Sequence, residues 1–135
     1  MPVLHSFDYA VVRVVPRVER GEYINVGAIV YCKARSYLAA RIELDAARLA
    51  ALAPHLSQAD HALIAATLDH IPRIAQGGAE AGPIGRLTQQ QRFHWLVAPR
   101  STMIQVAPAH AGLCHDPAAT LEHLLATMVR PLGGV

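Results

Sequence analysis

Apolar residues in the first third of the chain form short runs that are separated by charged or small residues. Residues 7–15 are rich in Val and aromatic residues and stop at a proline, which predicts a strand. Residues 17–22 are charged and contain a glycine, which indicates a hairpin loop, and residues 23–32 are a second β-rich run. A turn at residues 33–36 leads to a third strand at residues 37–44. Three strands joined by short turns predict an antiparallel meander.

The third strand has the clearest alternation in the sequence. Its odd positions include Arg41 and Glu43, whereas its even positions are apolar: Leu38, Ala40, Ile42 and Leu44. Because successive side chains of a strand point to opposite faces, this pattern predicts one buried face and one solvated face.

The apolar period then changes to that of helices. Asp45 is placed to cap a short helix that ends before Pro54. Ser57 is a second N-cap candidate, and Asp60 follows it by three residues, as in a capping box. The second helix is expected to kink or break near its end at Pro72. Its apolar stripe consists of Leu63, Ile64, Leu68, Ile71 and Ile74.

The remaining half of the chain predicts fewer elements. Residues 77–85 are rich in glycine and are expected to form a mobile connection. Residues 88–97 favour a helix opened by Thr88, although a strand with Phe93, Trp95 and Val97 on one face is the alternative. Residues 103–106 predict a fourth strand.

A loop and a final helix are expected at the end of the sequence. Residues 108–116 are interpreted as a loop. Asp116 or Pro117 then starts an amphipathic helix that runs to Val129 and is stopped by Pro131 and the Gly133-Gly134 pair. The sequence therefore predicts an α+β fold in one domain over residues 1–135. We expect an antiparallel sheet of three to four strands, from the N-terminal meander and one late strand, with the helices packed on one face.

Composition is consistent with a folded core that needs no metal, cofactor or disulfide. Apolar residues make up 53% of 135 residues, and the chain has only two cysteines. The first residues lack the features of a secretory signal, and the sequence has no apolar run of membrane-spanning length. We therefore expect a cytoplasmic protein that does not enter membranes.

The charged residues include no recognisable catalytic set. Twelve basic residues oppose ten acidic ones, and eleven of the twelve are Arg. Phosphate-binding glycine motifs and a serine nucleophile elbow are absent. The spacing of His110, Cys114, His115 and Asp116 matches no standard zinc ligand set. We therefore favour a non-enzymatic role.

The first hairpin holds the most specific candidate site. Symmetry about Glu19 would place Arg13 opposite Asn25, and Val11 opposite Gly27. An Arg among valines needs a polar or anionic partner, and a glycine inside a strand suggests close approach of another group. Arg13, Asn25 and Gly27 together could form a pocket for a small phosphorylated or acidic ligand, in an enzyme that acts on this ligand or in a protein that only binds it. The alternative is structural, with Arg13 paired to Glu43 inside the fold and Gly27 making room for an aromatic ring.

Two further groups of residues suggest binding to macromolecules. In the hairpin loop, Arg17 and Arg20 could contact nucleic acid or a protein partner, although charged loops are usually only solvated. In the segment RFHWLVAPRSTMIQ, Arg92 and Arg100 flank the single tryptophan, Trp95. Arg and aromatic side chains together anchor interfaces or stack on bases. The alternative is that Trp95 belongs to the core and the Arg residues border it.

Three stretches of the sequence resemble an uncharacterised bacterial family, domain-of-unknown-function family 3037. They are YAVVRVVPRVERGEYINVGAIVYC, RFHWLVAPRSTMIQ and the spacing to HAGLCHDP, and the likeness runs from about Tyr9 to Val129. The family has no established activity, and its genes often neighbour genes for HipA-like kinases. The resemblance therefore implies a small protein-binding partner of a toxin-like or regulatory kinase.

Overall fold

The first three strands form the meander that the sequence predicts. In the computed structural model, which describes residues 3–100 and 102–132, β1 is His5–Val14, β2 is Ile24–Cys32 and β3 is Tyr37–Ile42. β2 pairs antiparallel with β1 on one side and with β3 on the other. The α+β class with an antiparallel sheet is thus confirmed.

The free side of β1 is shared by two short strands. β4, Ile104–Val106, pairs with the C-terminal part of β1, and β5, His110–Cys114, pairs with its N-terminal part. The prediction of a loop over residues 108–116 is therefore wrong at β5, and the sheet has five strands. β1 has ten residues and β4 only three, so β5 supplies hydrogen-bond partners for backbone groups of β1 that β4 does not reach.

In the part of the chain that the structure describes, four α-helices surround the sheet, and the predicted caps are present. These helices are α1 (Ala46–Leu52), α2 (Gln58–Gln76), α3 (Gln89–Val97) and α4 (Pro117–Leu124). Asp45 caps α1, and full capping boxes open α2 at Ser57 and α3 at Thr88. The predicted helix at residues 88–97 is confirmed as α3. Its capping box at Thr88 provides partners for backbone N–H groups that the first turn of a helix leaves unpaired.

Two details of the predicted helices differ. Of the kink or break expected at Pro72, the break is absent, because α2 continues through Pro72 to Gln76. The last helix changes at Leu125–Val129 to a π-helical segment, and Arg130 follows it. Pro131 lies after that segment, and the predicted Gly133-Gly134 stop falls outside the described residues.

Helices cover both faces of the sheet, which corrects the expectation that they pack on one face. On the face that we call the α2 face, Ala10, Val12 and Ile29 pack against α1, α2 and α3. On the opposite face, the α4 face, the buried residues are Phe7, Ala28, Val30, Cys32, Cys114, Leu121, Leu124, Leu125 and Val129. β2 places buried residues on both faces from Val26 to Cys32, and such a strand needs cover on both sides.

A β-bulge in the first hairpin changes the predicted register. Arg13 faces Asn25 as expected, but Gly27 faces Val12 instead of Val11. Val26 is therefore an extra residue with no opposite neighbour on β1. Since a shift of one residue turns every later side chain to the other face, Gly27 lies away from Arg13 and Asn25. The expectation that Gly27 joins Arg13 and Asn25 in one pocket is wrong for this reason.

Gly27 allows β2 and β3 to approach closely. A Cβ atom at this position would lie 2.5 Å from the carbonyl oxygen of Arg41 and 2.6 Å from Cδ1 of Ile42. The glycine thus makes room for the neighbouring strand and an aliphatic side chain, where the structural alternative expected an aromatic ring.

Four charged residues join the C-terminal segment to β3. Arg130 binds both carboxylate oxygens of Glu43, at 2.7 and 2.8 Å, and also binds Glu122 at 2.7 Å. Arg41 contacts Glu43 at 3.2 Å and hydrogen-bonds Glu122 as well. The predicted Arg13–Glu43 pair is therefore wrong, because two other guanidinium groups hold Glu43. The bonds from Arg130 and Arg41 lower the pKa of Glu122 to about 2, and the bond from Arg130 lowers that of Glu43.

In residues 3–100 and 102–132, no helix combines the length and the apolar character that crossing a bilayer requires.

We predict that Glu122→Gln lowers the thermal unfolding temperature at pH 7 and that this deficit shrinks in acid. The folded pKa is about 2 and the unperturbed value is 4.5. The stabilisation is thus fully present above about pH 4.5 and is lost as the pH falls towards 2. Calorimetry or circular dichroism from pH 7 to pH 3 measures it. Glu80→Gln, at an exposed carboxylate in a loop, is the control; a deficit of constant size across this range contradicts the prediction.

We also predict that Gly27→Ala destabilises the fold by about 1–3 kcal/mol, because its methyl group overlaps β3. Urea unfolding measures this loss. Removing Cδ1 with Ile42→Val relieves one of the two contacts, so the double variant should be less unstable than the sum of the single variants predicts. An unchanged midpoint in Gly27→Ala would show that β3 moves freely.

Candidate functional site

Arg13 lies on the α4 face of the sheet and stacks on an exposed aromatic ring. Its neighbours across the strands are Asn25 on β2 and Gln105 on β4. The guanidinium carbon lies 4.4 Å from the centre of the Tyr23 ring. Its Nε is buried and has no hydrogen-bond partner among the described residues. The ring thus provides cation–π stabilisation where a carboxylate was expected.

The predicted Arg13–Asn25–Gly27 pocket is only partly assembled. Asn25 donates its side-chain amide to the carbonyl of Met128 at 3.0 Å, which fastens β2 to the π-helical segment. Gly27 points to the other face of the sheet. Of the three residues, the structure therefore brings only Arg13 and Asn25 together, and the Asn25 amide is already engaged.

The hairpin loop carries Arg17 and Arg20 in balanced ion pairs. Arg17 binds Glu19 at 3.0 Å, and Arg20 binds Glu22; all four side chains are largely exposed. The hydrogen bond from Arg20 lowers the pKa of Glu22. At neutral pH the loop therefore holds two positive and two negative charges and no net surplus.

A cleft of about 260 Å³ separates this loop from the end of α1. Arg17, Arg20 and Glu22 line one side of it, and His55 lies on the other. The remaining lining residues are Pro16, Leu52 and Pro54. Arg20 pairs with Glu22 inside the cleft, and Arg17 pairs with Glu19 outside its lining, so each guanidinium group here already has a carboxylate partner.

Arg92 is buried inside the α2 face, away from the other candidate residues. Its guanidinium donates to the carbonyl of Leu87 at 2.6 Å and to that of Ala75 at 3.3 Å. Ala75 lies in the last turn of α2, where the helix dipole is negative. Gly77 must be small, because a Cβ atom there would lie 2.8 Å from the guanidinium carbon. Arg92 thus joins the end of α2 to the start of α3.

Trp95 and Arg100 form a second stacked pair, at the surface. The buried side of α3 consists of Arg92, Phe93 and Leu96, so Trp95 falls at its margin and remains 41% exposed. The guanidinium carbon of Arg100 lies 4.7 Å from the centre of the indole ring. Arg100 also donates to the carbonyls of Leu96 and Trp95, both at 3.0 Å. These bonds cap the end of α3 and restrain the pair.

An apolar groove of about 350 Å³ opens beside this pair; we call it the Trp95 groove. It lies between α2, α3 and β4, and its apolar lining includes Ile71, Ile74 and Ile104. The other lining residues are Thr67, His70, Trp95, Leu96, Arg100 and Thr102. The lining thus includes the cation Arg100 and the titratable His70 but no carboxylate. A partner group that fits here is apolar with a negative charge nearby.

Sequence reasoning found one end of this groove and missed the other. Trp95 and Arg100 were singled out by type, because Arg and aromatic residues often anchor interfaces. Thr67 and His70 carried no signal of their own. The predicted apolar stripe of α2 includes one residue too many, because Leu63 is 67% exposed whereas Ile71 and Ile74 are buried. Ile71 and Ile74, which line the groove, belong to this stripe, but nothing in the sequence distinguished them from residues of a closed core.

Metal and nucleophile chemistry find little support in the geometry. Within the described residues, no three side chains among His, Cys, Asp and Glu come together to hold a metal ion. Cys32 and Cys114 are both buried as free thiols. Burial raises the pKa of Cys114, which disfavours the reactive thiolate form.

Comparison with known proteins agrees with the resemblance seen in the sequence. No curated protein and no solved structure matches the chain. A family model described as "Protein of unknown function (DUF3037)" matches residues 9–129 of the 135. This match covers the hairpin, both stacked pairs and the π-helical segment. The chain belongs to the DUF3037 family.

Proposed function

We propose that this chain is a non-enzymatic protein-binding module and that the Trp95 groove is its binding site. The observation that carries the proposal is the restrained Trp95–Arg100 pair at the mouth of an apolar groove. Partly exposed Trp and Arg side chains are the residues most often responsible for binding energy at interfaces. Arg100 already fixes the indole ring, so little side-chain freedom is lost when a partner binds.

The size and charge of the groove suggest what it binds. A volume of about 350 Å³ is at the small end of binding pockets, which suits one or two side chains of a protein better than a large cofactor. Arg100 provides a cation at the rim, and the lining has no carboxylate to repel an acidic residue. A segment that carries an apolar anchor next to Asp or Glu complements both features. The resemblance to family 3037 suggests a HipA-like kinase as the protein that supplies it.

The other two functions receive less support from the geometry. Nucleic-acid binding through Arg17 and Arg20 needs a positive surplus, but Glu19 and Glu22 neutralise the hairpin loop. Binding of a small acidic ligand at Arg13 needs several converging polar groups, but the Asn25 amide is engaged and Gly27 faces away.

We predict that Trp95→Ala weakens binding to a HipA-like kinase of the same genome by about 30-fold or more, the loss expected of a dominant anchor. Isothermal titration calorimetry with the two purified proteins measures the dissociation constant. Arg100→Gln should weaken binding in the same direction and also reduce its dependence on salt, because a charge contact is removed.

Tyr23→Ala is the matched control, since Tyr23 is also an exposed aromatic residue stacked against an Arg but lies outside the groove. Circular dichroism confirms that each variant is folded. Equal affinities of the Trp95 and Tyr23 variants would exclude the groove as the binding site. Because the enthalpy of apolar binding can be close to zero at one temperature, the titration is run at two temperatures, and a kinase that shows no heat of binding at either would exclude the proposed partner.

A further inference from the structure

The outer edge of β5 is an exposed strand edge, and we propose that it pairs with β5 of a second copy of this chain. β5 hydrogen-bonds to β1 on one side only. Ala111 and Leu113 are exposed, and Leu113 has 67% of its surface in contact with solvent. This surface is separate from the Trp95 groove and shares no lining residue with it.

The backbone pattern shows which groups of β5 point outward. Ala107 N–H donates to the carbonyl of Val11, so the backbone groups of Val11 face the β4/β5 side of β1. The backbone groups of Tyr9 and Phe7 also face this side, because the N–H and C=O groups of successive residues point to alternate sides of a strand. Their partners on β5 are His110 and Gly112, so the N–H and C=O groups of Ala111 and Leu113 point away from the sheet. No described residue outside β5 hydrogen-bonds to these groups.

Side chains do not protect this edge in the ways that sheet edges are usually protected. Natural edge strands avoid pairing through Lys, Pro or a bulge. β5, with the sequence HAGLC, has none of these, and its register with β1 is regular over all five residues. Exposed Leu113 adds apolar surface beside the unpaired backbone.

A second copy fits this edge better than an unrelated strand for reasons of symmetry and charge. A two-fold axis at Gly112 pairs Ala111 of each copy with Leu113 of the other. Each of these two residues has one outward donor and one outward acceptor, so both pairs can exchange two backbone hydrogen bonds. In each pair the small Ala111 side chain faces the larger Leu113 side chain. The two Leu113 side chains become diagonal neighbours within reach of each other.

Charge does not oppose this pairing and does not favour another partner. The HAGLC strand contains no Asp, Glu, Lys or Arg, so two copies meet without repulsion. An unrelated acidic or basic strand would find no opposite charge on β5. Joining the edges also buries both exposed Leu113 side chains, which gives an apolar contribution to dimerisation.

The expected dimer is modest in affinity. Pairing of two five-residue strands falls at the small end of interfaces, below about 1,200 Å² in total, where complexes are weak. We therefore expect dissociation constants in the micromolar range. Sedimentation velocity from about 1 to 500 µM of the full chain should show a monomer that becomes a dimer as the concentration rises.

Two substitutions test the edge itself. Leu113→Lys places a charge opposite the second copy and should weaken the dimer at least tenfold. Ala111→Pro removes an outward N–H that makes no bond to β1, so it should weaken the dimer and leave the monomer folded. Leu63→Lys is the matched control, because Leu63 on α2 has the same 67% exposure and should dimerise like the wild type.

The outcomes separate clearly. Loss of the dimer in both edge variants, with the control unaffected, supports the proposal. A wild-type chain that stays monomeric at 500 µM overturns it and leaves the β5 edge to a strand of another protein. A dimer that survives both edge substitutions also overturns it, because the copies would then meet at another surface. None of these results depends on binding at the Trp95 groove.

Discussion

β2 is buried along almost its whole length, and the layering of the molecule depends on that burial. From Val26 to Cys32 every residue is buried, although successive side chains point to opposite faces. Leaving either face in water would expose a row of aliphatic side chains, each of which contributes roughly 1.5–3 kcal/mol when buried. Helices must therefore cover both faces. α2 and α3 cover one, and only α4 with the π-helical segment remains to cover the other.

The same constraint explains the ionic network around Arg130. α4 packs on β2 and β3, whereas the π-helical segment packs on β2, and Arg130 after it reaches Glu43 just beyond the end of β3. Arg130 and Arg41 hold Glu43 and Glu122 between them, so sequence-distant residues are locked at the end of that contact. Their charges sum to zero, and the partners remain partly exposed. The network thus fixes where the C-terminal segment lies more than it adds to the overall free energy of unfolding.

Local signals were readable from the sequence, whereas distant pairings were not. The three caps at Asp45, Ser57 and Thr88 follow from side-chain chemistry within one turn, and all three are present. The continuous apolar run of β2 also indicated double burial, although it was taken only as a strand. Gly27 next to Val26 was a possible marker of the bulge, because a glycine inside a strand often accompanies one, but it was interpreted only as a close approach. One extra residue was enough to turn Gly27 to the face opposite Arg13 and Asn25.

Among the candidate site residues, too, a local pair was predictable from the sequence, whereas partners more distant in the sequence were not. Residue type alone suggested that Trp95 and Arg100 act together, and they are five residues apart at one helix end. The partners of the other two arginines could not be predicted from residue type. Arg92 binds the carbonyl of Ala75, which is 17 residues earlier in the chain, and Arg13 stacks on the ring of Tyr23, which follows the hairpin loop. A guanidinium among apolar residues needs a partner, and here carbonyl groups or an aromatic face take the place of a carboxylate, although Nε of both Arg13 and Arg92 has no hydrogen-bond partner among the described residues.

The position of α4 in the chain has a consequence for synthesis. The segments that complete the sheet and cover its second face, β4, β5 and α4, all come after residue 103. While a ribosome is still making them, Val30 and Cys32 have no cover and one edge of β1 has no neighbour. Until residue 129 has left the exit tunnel, the nascent chain is a partly folded intermediate with exposed apolar surface and an unpaired strand edge. This domain therefore reaches its native state only after residue 129 has emerged, and until then the growing polypeptide is the form most exposed to aggregation and to chaperones.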